Sequence, residues 1–183
     1  MEEKNKAWKT VSSKYLFRRP WLTVRCEDML LPNGNHIPEY YILEYPDWVN
    51  TIAITKDGQF VFVRQYRPGI ERTCYELCAG VCEKEDASPL VSAQRELWEE
   101  TGYGKGNWQE YMVISANPST HTNLTHCYLA TVVERMDVQH LDQAEDIEVR
   151  LFSRDEVMDM LEKGEIWQSL MAAPLWKYFA KAK

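Results

Sequence analysis

Three glutamates, Glu96, Glu99 and Glu100, occupy relative positions i, i+3 and i+4 in a stretch that reads as a helix. Ser88 can cap its start, Pro89 suits its first turn, and Gly102 suits a left-handed stop. At that spacing the three carboxylates share one helix face. The placement is locally unfavourable. Like charges at i, i+4 repel by roughly 0.2–0.5 kcal/mol per pair, and the helix dipole disfavours anions in the last turn. Arg95 can pair with Glu99 four residues on, which leaves Glu96 and Glu100 uncompensated. A hard divalent cation with oxygen ligands, Mg²⁺ or Mn²⁺, fits that deficit. A solvated acidic face is the plainer alternative. The helix-end position and the bracketing glycines favour the metal.

These residues need a scaffold, and the chain outlines one. Residues 1–14 are polar and expected to fray. Strand patterns run from Trp21 to Leu30 and from Ile37 to Tyr45, with Asn33-Gly34 as the hairpin signal between them. A second hairpin joins Val49–Ile54 to Gln59–Tyr66 through Asp57-Gly58. Tyr75–Ala79 reads as a short strand that delivers the chain to Gly80. Beyond the glutamate helix, Tyr111–Ala116 and Thr125–Val133 read as strands, joined by a loop of turn formers from Asn117 to Asn123. An acidic loop, Val138–Asp146, leads into a strand at Ile147–Phe152. Ser153 and Glu156 form a capping box for a helix that ends at Gly164, and a last helix over Ile166–Ala180 is expected to bend at Pro174. Strands and helices interleave without regular βαβ alternation, so the expected architecture is a mixed sheet sandwiched by helices.

Composition narrows the classes of activity. The 183 residues suit one domain with a small appendage, and the net charge of −7 argues against nucleic-acid backbone binding. An anionic substrate would need local help from metals or a few placed arginines. No apolar run approaches a membrane span, and the N-terminal stretch has no secretory apolar core. Five cysteines without a CxxC pair suit a reducing cytoplasm. Cys74, Cys78 and Cys82 recur every fourth residue; they read as buried small hydrophobes more readily than as a metal or redox site.

Gly80, Arg95, Glu96, Leu97, Glu99, Glu100, Gly102 and Tyr103 together resemble the Nudix box, G-x5-E-x7-R-E-U-x-E-E-x-G-U with U a bulky apolar residue. The interval from Gly80 to Arg95 is one residue longer than the pattern, so counting back from Arg95 puts Ala87 at the first Glu position, with Asp86 beside it. In the family that Glu supports the metal site and the arginine. The resemblance implies an α/β/α sandwich, here a Nudix domain over 48–183 preceded by a small antiparallel β unit over 1–47. It extends towards the ADP-ribose and nucleotide-sugar pyrophosphatases, which implies metal-dependent hydrolysis of a nucleoside diphosphate sugar to a nucleoside monophosphate and a sugar phosphate. A catalytically weak binding or regulatory module, and a nucleoside triphosphate pyrophosphohydrolase, are the alternatives.

The same resemblance implies roles for individual residues. Glu96, Glu99, Glu100 and the backbone carbonyl of Ala79 are the metal-ligand candidates. Glu145, on the acidic loop, is the candidate for orienting or deprotonating the attacking water, with Gln143 and Asp146 as neighbours in nearby register. Arg67 and Arg64 are candidates for gripping the substrate phosphates. Trp21, with Phe17 and Tyr15 behind it, is the candidate platform for the base, and a homodimer exchanging the N-terminal unit is expected. The loop from Pro118 to Asn123 departs from the glycine-rich loop of the ADP-ribose hydrolases.

Overall fold

The computed structural model describes residues 6–181. The chain divides into two units, one made of residues up to Tyr45 together with Asn117–Asn123, the other of Pro46–Ala116 and Leu124 onwards.

The first unit is a three-stranded antiparallel meander of β1 (Lys9–Arg19), β2 (Leu22–Leu30) and β3 (His36–Glu44). The expected hairpin joins β2 to β3, with Gly34 at φ +88° in its turn. β1 corrects the expectation of a frayed start: from Lys9 onward the segment pairs with β2 along its length. Every residue of β1 is exposed, so it carries no burial alternation for a sequence reading to detect. The Asn117–Asn123 loop docks on β3. Leu43 N–H donates to the Thr120 carbonyl at 2.8 Å, Thr122 N–H donates to the Leu43 carbonyl at 3.1 Å, and the Tyr40 hydroxyl donates to the Ser119 carbonyl at 2.6 Å.

The second unit is an eight-stranded mixed sheet with helices on both faces. Its elements are β4 (Trp48–Thr55), β5 (Phe60–Arg67), β6 (Arg72–Glu76), β7 (Cys78–Val81), α1 (Pro89–Thr101), β8 (Tyr103–Gly104), β9 (Asn107–Ile114), β10 (Thr125–Arg135), β11 (Glu148–Phe152), α2 (Arg154–Glu162) and α3 (Ser169–Lys181). The central path runs β11-β5-β4-β10-β8, with β4 and β10 parallel. The layering follows from strand periodicity. Along β4, Ile52 and Ile54 pack with Val157 and Leu161 of α2 and Leu175 of α3, while Ala53 packs with Leu97 and Val49 with Ala93, both of α1. The buried runs Val49–Ile54 and Phe60–Val63 are what apolar stretches rich in Val, Ile and Phe specify in a sheet covered on both faces.

Two local departures from the sequence reading matter for the site. The single strand expected at Tyr75–Ala79 is two: β6 pairs with β5 and β7 pairs with β4. The switch falls at Leu77, which is buried and whose N–H donates to the Met171 sulfur at 3.2 Å. The last helix begins at Ser169 rather than Ile166, with Pro174 inside it. Both helix N-caps form as expected: Ser88 accepts from Val91 N–H, and Ser153 with Glu156 makes the reciprocal capping box. No helix among the described residues is long and apolar enough to cross a membrane.

Leu77 both moves the chain between strands and fills the core under α3. Leu77→Ala should therefore lower the unfolding free energy by about 3 kcal/mol in urea titration; a loss under about 1 kcal/mol would contradict this account of the crossing.

Candidate active site

The glutamate helix is α1, and its C-terminus is clamped. Gly102 takes φ +72°, and its N–H donates to the Trp98 carbonyl at 2.8 Å. A Cβ at Gly102 would come within 2.3 Å of the Asp137 carbonyl oxygen, so the acidic loop passes directly over this turn. Gln139 ties that loop down. Its Nε2 donates to the Glu100 carbonyl at 2.7 Å and to the Ile147 carbonyl at 3.0 Å. His140 N–H donates to the Glu99 carbonyl at 2.8 Å, and the His140 ring stacks on Trp98 at 4.2 Å. Orphan carbonyls of the last turn are thus satisfied by the same loop that carries Glu145. The sequence reading missed Gln139; a lone loop amide gives no periodic or motif signal.

At the other side of α1 lies β7. Gly80 leaves room for the Glu96 carboxylate: a Cβ on it would stand 2.0 Å from the Glu96 carboxyl carbon and would displace that group. Ala79 N–H donates to Glu100 Oε2 at 3.1 Å. In an antiparallel ladder the N–H and C=O of one residue point to the same side, so the Ala79 carbonyl also faces away from β4, towards the glutamates. That is the direction a backbone metal ligand needs.

Arg95 organises the charges. Its Nη1 donates to both Glu96 Oε1 and Glu99 Oε2 at 2.9 Å, and its Nη2 donates to the Val81 carbonyl at 3.0 Å and to Asp86 Oδ2 at 3.1 Å. Two expectations are refined by this. Asp86, which stands at the box's first acidic position counted forward from Gly80, makes the bond to the arginine that Ala87 cannot make. Glu96 is also partnered, so the cation deficit falls on Glu100.

Glu100 is 4 % exposed, and no cationic side chain among the described residues hydrogen-bonds to it. Burial raises its pKa to about 8 against the pull of the Cys78 thiol bond, and the charges of Glu96 and Glu145 add to the rise. Burial likewise raises Glu96, moderated by Arg95. Glu145 thus lies close enough to act on both carboxyls. Its side chain accepts from Asp142 N–H at 2.9 Å, which folds the acidic loop into a local turn.

The residues present fit a hard divalent cation. They offer carboxylate and carbonyl oxygens, a cradle that any side chain at position 80 would fill, and a buried carboxylate short of positive charge. Among the described residues no group of three or more His, Cys, Asp and Glu side chains already stands at metal-holding geometry.

The arginine candidates separate. Arg67 donates through Nε to Glu76 at 2.9 Å and through Nη2 at 2.5 Å, which leaves Nη1. Glu76 is 2 % exposed, and Gln65 donates to it as well at 3.1 Å, so Arg67 is held by a buried anchor. Arg67 lines a cleft of about 360 Å³ together with Ala79 and Gly80. Arg64 does not line it and faces Glu148 across the β5–β11 pair at 3.5 Å. Trp21 belongs to the other unit, where it is 82 % exposed at the turn between β1 and β2. All five cysteines are free; Cys74 and Cys78 are buried, as small hydrophobes would be.

Comparison with known proteins agrees with this geometry. The NUDIX domain family matches residues 45–173, and the family described as nucleoside diphosphate sugar hydrolase N-terminal domain matches residues 8–43. An ADP-ribose pyrophosphatase of Bacillus subtilis (strain 168) is 29 % identical over 165 residues, covering 90 % of this chain and 88 % of that protein. A methanol dehydrogenase activator of Bacillus methanolicus is 30 % identical over 162 residues, covering 88 % and 86 %. The crystal structure of an ADP compounds hydrolase superposes with a TM-score of 0.82 at 21 % identity, covering 95 % of this chain and 94 % of that one, which shows the shared fold. The chain belongs to the Nudix family and is a hydrolase acting on diphosphate bonds.

The raised Glu100 pKa has a consequence for stability. Folding lifts this carboxyl from its ordinary value of 4.5 to about 8, so the folded state keeps the proton longer than the unfolded state. The stabilisation is complete below the unfolded value and is lost as pH rises through the folded one. In chelator, the wild-type urea midpoint should fall between about pH 5 and about pH 9. Glu100→Gln should flatten that fall, and millimolar Mg²⁺ should reduce it in the wild type. Equal falls in wild type and variant would show that Glu100 does not carry the effect.

Proposed function

We propose that this chain hydrolyses the diphosphate linkage of a nucleoside diphosphate sugar, of the ADP-ribose or GDP-mannose kind, to a nucleoside monophosphate and a sugar phosphate, using Mg²⁺ or Mn²⁺. The observation that carries the reading is Glu100, a buried carboxylate lacking a cationic partner, set beside the Ala79 carbonyl, Glu96 and Glu99 at the edge of the Arg67 cleft. Glu96, Glu99, Glu100 and the Ala79 carbonyl would hold the cation. Bound there, it supplies neutralisation of the diphosphate charge that otherwise repels a nucleophile.

The chain's own residues do the rest. Glu145 orients a water and takes its proton as the oxygen attacks phosphorus. The bridging P–O bond breaks, and the bridging oxygen leaves on the second phosphate. Arg67 offers Nη1 to a phosphate oxygen while Glu76 keeps its guanidinium from swinging away. Trp21 offers its exposed ring to the base, across the subunit boundary of a homodimer formed through the first unit. A cytoplasmic location accords with the free cysteines. The Asp86–Arg95 bond supports the enzymatic reading over a module that has lost its chemistry.

A hydrolysis screen over ADP-ribose, GDP-mannose, UDP-glucose and nucleoside triphosphates, with products identified, tests the reaction. Nucleoside monophosphate and sugar phosphate are expected; inorganic pyrophosphate released from a triphosphate would favour the triphosphate reading instead. On the best substrate, Glu100→Gln should lower kcat by at least about a hundredfold with the far-ultraviolet circular dichroism unchanged. Glu145→Gln should lower kcat by a similar factor, about a hundredfold, with KM little altered. Near wild-type turnover in either variant removes that residue from the chemistry.

A further inference from the structure

The cleft beside Ala79 and Gly80 contains two polar atoms that the catalytic groups do not use. Asn50 is 1 % exposed and Thr125 is 2 % exposed, and both line the cleft. Asn50 Nδ2 donates to the Leu170 carbonyl at 2.8 Å, which fixes the orientation of its amide. Asn50 Oδ1 is then left with no hydrogen-bond partner among the described residues, and neither has Thr125 Oγ1. Leaving such groups unpaired in a protein interior lowers stability. Two of them in one cleft are a standing cost to the fold unless something binds there.

The backbone places them together. Thr125 sits opposite Trp48 in the parallel β4–β10 pairing, and Asn50 lies two residues further along β4, so Asn50 and Thr125 share one face of the sheet. On the other side of β4, Asn50 sits opposite Ala79 in β7. The strand order is therefore β7, β4, β10, and the Thr125 strand lies two strand spacings, about 10 Å, from the one that carries Ala79. Arg67 and the Ala79 carbonyl mark the end of the cleft that meets phosphate, and Asn50 and Thr125 mark a second, uncharged end.

The chemistry of that second end is specific. Asn50 Oδ1 can only accept a hydrogen bond, so it repels a phosphate and requires a donor. Thr125 Oγ1 can donate or accept. Adjacent hydroxyls satisfy both atoms, because each hydroxyl also does both. We propose that Asn50 and Thr125 form a sugar subsite that reads the hydroxyl groups of the sugar attached to the diphosphate, and that they set selectivity for sugar-capped over simply capped diphosphates. This rests on the diphosphatase reading above for its phosphate end, whereas the two unpaired atoms stand independently of it.

The test compares ADP-ribose with ADP whose terminal phosphate carries a methyl ester in place of the sugar. Thr125→Val is the informative variant. It keeps the shape, removes the hydroxyl and breaks no hydrogen bond within the protein, so it should melt no lower than wild type. The ratio of kcat/KM for ADP-ribose over the methyl ester should fall about tenfold, the worth of one lost hydrogen bond, with KM carrying the fall. An unchanged ratio would overturn the subsite. Should the wild type hydrolyse neither compound, the diphosphatase reading fails by itself, and calorimetric titration with ADP-ribose then reads the pocket directly. Binding weakened about tenfold in T125V supports the subsite; equal affinity, or no binding by the wild type, overturns it.

Discussion

A carboxylate buried with no cationic side chain hydrogen-bonded to it is an expensive thing to build, and Glu100 is one. It sits in the last turn of α1, where the dipole already opposes it, with the charges of Glu96 and Glu145 close by. Much of the second unit can be understood as the apparatus that keeps it there. The Ala79 N–H and the Cys78 thiol hold one side of its carboxyl, and Arg95 draws Glu96 and Glu99 into a charge network that leaves Glu100 outside. A carboxyl in this state keeps its proton well above the ordinary carboxylate range.

The same constraint explains two pieces of backbone that have no chemistry of their own. Gly80 is small because the Glu96 carboxyl fills the space a side chain would take. Gly102 is left-handed and bare because the acidic loop crosses over it, and Gln139 then staples that loop to the helix end. Glu145 is therefore brought to the cluster by the closure of the helix terminus rather than by any strand or helix of its own. The hand-off from β6 to β7 at Leu77 works in the same direction: it moves the chain from the β5 edge to the β4 edge, where the Ala79 carbonyl can face the glutamates. Glu76, one residue before the switch, remains on β6 and anchors Arg67.

Unsatisfied groups are informative beyond Glu100. Asn50 Oδ1 and Thr125 Oγ1 are buried without a hydrogen-bond partner among the described residues, and both residues line the cleft that Arg67 also lines. Interiors that tolerate such atoms give up stability, and function is the usual compensation. The first unit shows a different kind of incompleteness. Its β1 strand buries nothing within its own sheet, and Trp8, Tyr15, Phe17 and Trp21 all remain exposed. A strand of this kind offers apolar surface and aromatic faces to a partner or a ligand.

The sequence by itself determined the helix, its caps, the shared face of the three glutamates and the two-sided sandwich, because each is written in local spacing: period 3.6, period 2, and the small residues at the ends. It also carried the Nudix resemblance, since that motif lies within one contiguous stretch. The tertiary structure alone decided which glutamate is left outside the arginine network, because Arg95 reaches its neighbour Glu96 as well as the Glu99 that i,i+4 spacing already offered. It decided that Asp86 rather than Ala87 serves the arginine, since counting from Gly80 and counting from Arg95 give different positions and only the folded loop shows which side chain reaches Arg95. It separated Arg67 from Arg64, which look alike in sequence but differ in having a buried carboxylate within reach. And it revealed Gln139, Asn50 and Thr125, whose significance lies in partners that are distant along the chain, or in having none.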